Sequence, residues 1–252
     1  MDDAIATSAK NGHENEGSVS YSHGFLPVTP PLLSLPPSHA AWDQAANNTA
    51  EMLRTYSTRK QIEALPLLSA AAEDLPAEYL LRASSIISIF AHMYWYAQAD
   101  EPQNGIPPQI QQPWEEITRR LDRPAPHLSF IDLNTYNWKF MNPGLAQPFA
   151  VENLAMAVPM AGNEDERRFQ MLPVEFLYLF SPLMQSTINC QQAVLNDEPA
   201  KLKEELVFVG EALKKLTFTT FMKVDPNIYS GETYINPVVW GKTAALFASP
   251  FT

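Results

Sequence analysis

The sequence predicts an all-α protein, and three observations indicate this fold class. Five apolar residues late in the chain recur at the helical spacings of four, three, four and three: Leu202, Leu206, Val209, Leu213 and Leu216. Residues 79–96 are apolar on nearly every face, as in a helix that is buried on all sides. Proline (22) outnumbers glycine (9), and no glycine lies between Gly24 and Gly105, which disfavours a glycine-rich all-β sandwich.

The first half of the chain is predicted to contain a tail, an extended arm and four helices. Residues 1–23 are polar and lack apolar periodicity, which indicates a disordered tail. Five prolines among leucine and valine follow at 25–37, a composition typical of an extended arm that lies on an apolar surface. The four helices are predicted at residues 39–55, 79–96, 114–121 and 129–138.

The second half is predicted to be helical as well. The charged segment 162–168 is expected to be a solvated loop. Beyond it, the pattern predicts a helix at 169–195, which Pro182 should kink or break, and another helix at 201–224. The Asn-Pro pair at 236–237 supplies an N-cap and a first-turn proline for a last helix.

Charge and composition exclude several classes of partner. With 17 basic and 28 acidic residues, the chain has a net charge of -11, so it repels nucleic acid and anionic lipid surfaces. The longest uncharged stretch, 83–99, contains serines, a histidine and a glutamine, which makes it short and polar for a bilayer span. A lone Cys190 and an N-terminus without a secretory signal predict a cytoplasmic protein.

No common catalytic motif is present. The chain lacks a Gly-x-Ser-x-Gly elbow, a Cys-x-x-Cys pair and a phosphate-binding loop, and no two of its five histidines lie four residues apart. His92 could be a ligand or base, but in so apolar a segment a core histidine is favoured. Asp132 and Glu175 could be functional acids, although hydrogen-bonded structural carboxylates are more common. Cys190 is interpreted as a small buried apolar residue.

The order of several segments resembles the indoleamine 2,3-dioxygenase family of haem proteins, in particular its fungal members. The arm Gly-Phe-Leu-Pro-Val-Thr-Pro-Pro-Leu-Leu-Ser-Leu-Pro at 24–36 is similar to the N-terminal entry of that family. Further segments fall in the family's order and near its spacing: EALPLL at 63–68, IFAHMYW at 89–95, RRLDRP at 119–124, SFID at 129–132 with Asn137-Trp138, and YINP at 234–237.

The resemblance implies a two-domain helical protein that uses haem b. Residues 24–150 would form the small N-terminal domain, and 151–252 the first part of a larger helical-bundle haem domain. Both atoms of O2 would be inserted across the C2–C3 bond of tryptophan or a related indole, with the cofactor performing the chemistry. The family's proximal histidine is expected beyond Thr252, so no metal ligand is assigned within this sequence.

The resemblance also implies substrate-pocket positions. Phe130, Leu133 and Asn134 fall at such positions, and Met171 stands where the family carries a small hydroxyl residue. Trp240 falls at an aromatic pocket position. Ala245 falls where the family has the arginine that binds the substrate carboxylate, and no arginine occurs anywhere from residue 169 to 252.

Three functional hypotheses follow from these features. The first is a haem dioxygenase-like enzyme that acts on an indole or another small aromatic substrate together with O2. The second is a biosynthetic relative with a substrate other than tryptophan, and the third is a truncated, haem-free helical interaction or remnant protein. The apolar segment 238–247 has little sequence after it to pack on, which predicts self-association. The 252-residue chain alone is expected to be inactive and not to retain haem.

Overall fold

The computed structural model describes residues 22–97 and 105–242, and helices dominate these ranges. The α-helices are α1 (Ala40–Ala46), α2 (Thr49–Arg54), α3 (Thr58–Glu63), α4 (Leu80–Tyr96), α5 (Pro108–Arg120), α6 (Glu164–Leu195), α7 (Pro199–Lys215) and α8 (Pro237–Trp240). Two short strands, β1 (Trp138–Phe140) and β2 (Leu154–Met156), pair in one sheet. The predicted all-α class is therefore confirmed as mainly helical, with this small sheet as an addition.

The chain divides into two compact units, which alternate along the sequence. We call the first the core unit, and it comprises Pro31–Lys139, Ala155–Gln170 and Asn236–Thr252. The second, here the long-helix unit, comprises Met1–Pro30, Phe140–Leu154 and Met171–Ile235. The predicted boundary between a small domain at 24–150 and a larger one stays a prediction.

Helix α4 is the centre of the core unit. Thirteen of its 17 residues are buried, among them Ile86, Ile87, Phe90 and Met93. These side chains join one hydrophobic cluster with residues of α1, α2, α3 and α5. The prediction of a central buried helix at 79–96 is confirmed, because a segment that is apolar on every face is stable only when other elements surround it.

The long-helix unit is built around most of α6. This helix has 32 residues and continues through Pro173 and Pro182, so Pro182 does not break it, and a kink there stays a prediction. The arm reaches the helix at Gly24, whose φ is +61° and whose missing Cβ would lie 3.0 Å from the carbonyl oxygen of Leu177. Glycine is required there because any larger residue would be strained and would press on the helix backbone.

Helix α7 buries none of its residues within the described part of the chain. Of the apolar stripe predicted for residues 202–216, only Leu216 is buried, and Leu206 and Leu213 are 55% and 42% exposed. A polar contact links this helix to α6, since Asn189 Nδ2 donates to Glu205 Oε1 at 2.7 Å. The periodicity predicted the helix itself, but only one residue of the stripe is covered.

Three other local expectations are corrected. The helix predicted at 39–55 is two helices, α1 and α2, separated by Asn47 and Asn48. The helix predicted at 129–138 is a π-helical turn, Ile131–Thr135, followed by β1. Of the solvated loop predicted at 162–168, residues 164–168 belong to α6, and the buried carboxylate of Glu166 accepts from three amides just before the helix.

Some predictions fall on residues outside the described ranges. The predicted tail lies there except for Ser22 and His23, and so do residues 243–247 of the apolar C-terminal segment. The predicted start of the last helix is confirmed, because Asn236 Oδ1 accepts from the amides of Val238 and Val239. Among the described helices, none combines the length and the hydropathy needed to cross a bilayer.

Candidate functional site

Three of the predicted pocket residues share the π-helical turn of the core unit. Phe130 immediately precedes Ile131–Thr135 and is 54% exposed, so its ring is available at the surface. Leu133 is half-buried and packs against the hydrophobic cluster around α4. Asn134 is buried within the turn. Single π turns inside helical segments occur often at functional sites.

The start of α6 contacts both of the other elements of the site. Asn134 Nδ2 donates to the main-chain oxygen of Gln170 at 2.7 Å and to its Oε1 at 2.9 Å. The neighbouring ring of Phe169 lies 4.5 Å from the Trp240 ring, with 47° between the ring planes. Two successive residues of α6 therefore hold the π turn on one side and α8 on the other.

The other predicted pocket residues, Trp240, Met171 and Ala245, do not all lie in the same part of the structure. Trp240 ends α8, is half-buried, and packs on Phe169; its Nε1 is buried without a hydrogen-bond partner among the described residues. Met171 is fully buried and belongs to the long-helix unit, where it follows Gln170 along α6. Ala245 lies outside the described residues. Phe130, Leu133, Asn134 and Trp240 thus belong to one unit.

The two arginines nearest to this site in sequence are both engaged. Arg167 and Arg168 contact the Glu164 carboxylate at 2.6 and 2.7 Å. The hydrogen bond from Arg167, aided by that from Arg168, lowers the pKa of Glu164 to about 2. Both guanidinium groups are thus partly neutralised by this carboxylate, which weakens their attraction for an anionic ligand beside Phe169.

The carboxylates of Asp132 and Glu175 are buried and hydrogen-bonded, as the favoured interpretation expects. Glu175 Oε2 accepts from the amide of Val151 at 2.6 Å and from Lys223 Nζ at 2.9 Å. Asp132 is fully buried and binds Arg123 Nη1 at 2.8 Å. Each carboxylate has donors that offset the cost of burying its charge.

Comparison with known proteins decides the family. A family model described as Indoleamine 2,3-dioxygenase matches residues 14–236, which is most of the chain. The chain belongs to the indoleamine 2,3-dioxygenase family. The resemblance seen in the order of its sequence segments is therefore confirmed.

Several curated proteins of this family are similar to the chain. The indoleamine 2,3-dioxygenase acdA of Aspergillus candidus is 32% identical over 155 residues, 60% of this chain and 38% of the relative. Indoleamine 2,3-dioxygenase 2 of Mus musculus is 24% identical over 84% of this chain and 52% of its own length. The 6-hydroxytryptophan 2,3-dioxygenase fscD of Fusarium equiseti is 24% identical over 91% and 53%. The chain spans about half the length of the curated relatives it matches, or less.

Indoleamine 2,3-dioxygenases depend on haem, and the described histidine with both ring nitrogens engaged, His39, does not fit the role of its axial ligand. His39 places Nδ1 2.9 Å from Ser38 Oγ and Nε2 2.9 Å from the carbonyl oxygen of Ser69, so both ring nitrogens have partners. His127 lies in an exposed connector with Nδ1 2.8 Å from the carbonyl oxygen of Ala125. A haem ligand needs a ring nitrogen that points at the iron.

The two other described histidines pack against aromatic rings. His92 is buried in α4, with its ring centroid 6.2 Å from that of Tyr96 and 6.4 Å from that of Trp114, which confirms it as a core histidine. His23 packs edge-on against two aromatic rings of the long-helix unit. Across residues 22–97 and 105–242, no group of three or more His, Cys, Asp or Glu side chains could hold a metal ion.

Sequence reasoning missed Phe169 and Gln170 as site residues. A signal for Gln170 existed, because a buried asparagine in an apolar turn must find an acceptor for its amide protons. The sequence could not show which acceptor it finds, since Asn134 and Gln170 are 36 positions apart. Phe169 carried no signal of its own, because an aromatic residue at a helix start is usually part of a core.

Proposed function

We propose that this chain provides the substrate-facing part of an indoleamine 2,3-dioxygenase-type enzyme and binds an indole or a related flat aromatic molecule. The observation that supports this most is the pair of contacts made by successive residues of α6. Gln170 holds the turn that carries Phe130 and Leu133, and Phe169 packs on Trp240. Aromatic and apolar groups gathered in this way suit the face of an indole ring.

The protein's part in the reaction is to bind and orient the ring and to exclude water from it. The proposal assigns ring contacts to Phe130, Leu133 and Trp240. It assigns Asn134 to holding the turn, because the side-chain amide of Asn134 donates to two acceptors of Gln170. Met171 and Ala245 remain pocket positions by family resemblance. The oxidative chemistry belongs to the haem of the family.

We further propose that the substrate is not recognised through a carboxylate. Ala245 stands at the family's arginine position, and Arg167 and Arg168 are paired with Glu164. A buried substrate carboxylate would lose a charge-assisted contact worth about 2–4 kcal/mol, or about 30- to 1000-fold in binding. The relative named for 6-hydroxytryptophan supports variation in the ring of the substrate, although that amino acid keeps its carboxylate.

Fluorine-19 NMR of fluorinated ligands tests the proposed binding. The 252-residue chain is titrated with 5-fluoroindole, 5-fluorotryptamine and 5-fluoro-L-tryptophan, and line broadening gives each affinity. Binding of the first two in preference to the amino acid supports the proposal. Equal or tighter binding of 5-fluoro-L-tryptophan would contradict the assignment of Ala245.

A pair of exposed phenylalanines supplies the matched control. Phe130→Ala should weaken the binding of 5-fluoroindole, whereas Phe218→Ala, at a residue that is 73% exposed in the long-helix unit, should leave it unchanged. Loss of binding in both variants would indicate nonspecific association with exposed apolar residues.

We propose that the 252-residue chain does not retain haem, because both ring nitrogens of His39 have partners and His92 is buried in the core against the rings of Tyr96 and Trp114. Reconstitution with hemin, followed by size exclusion and a visible spectrum, is expected to give no stoichiometric Soret band in the protein peak. A monomer with one haem and a histidine-type spectrum that is lost in His92→Ala would overturn this proposal. The same column tests the self-association proposed for residues 238–247.

A further inference from the structure

The π-helical turn is fastened to the core unit through one buried carboxylate. Asp132 Oδ1 accepts from Ser84 Oγ at 2.6 Å and from Arg123 Nη2 at 3.2 Å. Its Oδ2 accepts from Arg123 Nη1 at 2.8 Å and from the amide and hydroxyl of Ser129 at 3.0 and 2.6 Å. Arg123 Nη1 also donates to Ser84 Oγ at 2.9 Å, which closes a ring of hydrogen bonds around the carboxylate.

The hydrogen-bond network holds the backbone around Phe130. Ser129 immediately precedes Phe130, and Asp132 follows it by two residues. These two residues hydrogen-bond each other, with Ser129 Oγ also accepting from the Asp132 amide, so the backbone on both sides of Phe130 is held. The turn itself is wide, because the amide of Tyr136 donates to Ile131 O five residues earlier. A π-helical turn is less stable than a regular α-helix, so it persists only where contacts with neighbouring residues stabilise it.

Apolar packing does not hold Phe130 in place, since more than half of its side chain is exposed. We propose that Arg123 is a positioning residue: through its paired hydrogen bonds to Asp132 it sets the shape of the turn and thereby the placement of Phe130 and Leu133. This inference rests on the proposed function for the role of those two side chains. The shape of the turn can be tested independently of any ligand.

A second ion pair, made by helix α4 two residues before Ser84, provides the matched control. Arg82 binds Asp43 at 2.9 Å; the Arg82 side chain is almost fully buried and that of Asp43 is partly buried, and the hydrogen bonds of this pair do not involve the turn. Arg123→Met leaves the buried Asp132 without its cation, and Arg82→Met leaves the partly buried Asp43 without its own, so both are expected to lower the global stability. They should differ in what happens to the turn.

Hydrogen–deuterium exchange of the full chain measures that difference. In Arg123→Met, the amides of Leu133, Tyr136 and Asn137 should exchange at least about tenfold faster relative to those of α4, because the turn opens locally. In Arg82→Met this ratio should stay as in the wild type. Equal loosening of the turn in both variants, or unchanged protection in Arg123→Met, would overturn the proposal.

A double variant separates positioning from stability and also serves if Arg123→Met does not fold. Arg123→Met with Asp132→Asn removes the unpaired charge, so most of the global stability should return. The turn amides should nevertheless remain fast, because the new side chain at position 123 supplies no paired donors to position 132. Full recovery of turn protection in the double variant would show that the network serves stability alone.

Binding of 5-fluoroindole links the turn to the proposed function. Its affinity should fall about tenfold in the double variant and remain unchanged in Arg82→Met. If the wild type does not bind 5-fluoroindole, the proposed function fails, while the exchange ratios still decide whether Arg123 positions the turn.

Discussion

Replacement of Glu166 by alanine should destabilise the start of α6, the segment that carries Phe169 and Gln170. The carboxylate accepts from three successive amides: Oε1 lies 2.7 Å from Met160 N, and Oε2 lies 3.0 and 2.7 Å from the nitrogens of Ala161 and Gly162. The residue is fully buried. Alanine would leave all three donors without this acceptor.

The expected loss can be worked out from these three bonds. A buried N–H group that loses its acceptor costs about 1–3 kcal/mol, so three give about 3–9 kcal/mol. Water can enter the space left by the carboxylate, which favours the lower end, about 3–5 kcal/mol. At about 2–4 °C per kcal/mol for a chain of this size, Tm should fall by about 6–20 °C. Urea and thermal unfolding at pH 7, followed by circular dichroism, measure both quantities.

Glu164 provides a control only two residues away. Its side chain is 56% exposed, and its partners are Arg167 and Arg168 at the protein surface. Glu164→Ala should cost less than about 1 kcal/mol, because solvent screens exposed ion pairs. The explanation fails if the two alanine variants lose equal stability, or if Glu166→Ala unfolds within about 1 kcal/mol of the wild type.

The burial of Glu166 should also make the free energy of unfolding depend on pH. Burial raises its pKa above 4.5, although the three amide hydrogen bonds act in the opposite direction. A raised pKa in the folded state contributes stability that is present below pH 4.5 and is lost as the pH rises through the folded value. The wild type should therefore gain stability relative to Glu166→Gln on acidification from pH 7 to 4.5. Glu164 should show the opposite pH dependence, because its pKa is lowered to about 2 in the folded state. The stability that it contributes is present above pH 4.5 and is lost as the pH falls from 4.5 through about 2.

Two further substitutions test the close packing of Gly162 on Ala50 and the pairing of the buried Glu175 with Lys223. Gly162→Ala should lower the free energy of unfolding in urea by about 1–3 kcal/mol, because the φ of Gly162 is +69° and the new Cβ would lie 2.7 Å from Ala50 Cβ. Gly210→Ala is the control: a Cβ at this position in α7 would have no neighbouring atom within 4 Å, so the change should be neutral or stabilising. Lys223→Met should cost about 2–4 kcal/mol, because Glu175 stays buried without its cation, whereas Lys223→Arg should retain most of the stability. A loss in Gly210→Ala as large as in Gly162→Ala, or no loss in Lys223→Met, would contradict these expectations.

The parts of the fold that could be predicted from sequence are those in which a local residue pattern is compatible with only one structure. A segment that is apolar on all faces must be surrounded, and residues 79–96 accordingly form the buried α4. An asparagine before a proline caps a helix, and Asn236 does so. The family could be recognised because several short segments keep their order, even though each one is weakly specific.

The parts that could not be predicted depend on long-range partners of polar residues. Glu166 lies among charged neighbours and looks solvated in sequence, yet it is buried because three amides need an acceptor. The segment 129–138 has the periodicity of a helix, but Asp132 and Asn134 bind groups outside it, which favours a wider turn and then a strand. A residue pattern records polarity but not the partner that satisfies it.

The candidate site and the core around it are therefore held by different forces. Residues such as Ile86 and Phe90 are fixed by burial, which is non-directional and tolerates small shifts. The turn that carries Phe130 and the start of α6 are fixed by the carboxylates of Asp132 and Glu166, whose hydrogen bonds are directional and fail when one donor or acceptor is removed. A substitution in the core should lower the stability of the whole unit and leave the geometry of the site intact in the folded molecules. A substitution at either carboxylate should alter the site itself, and exchange at the turn amides distinguishes the two cases.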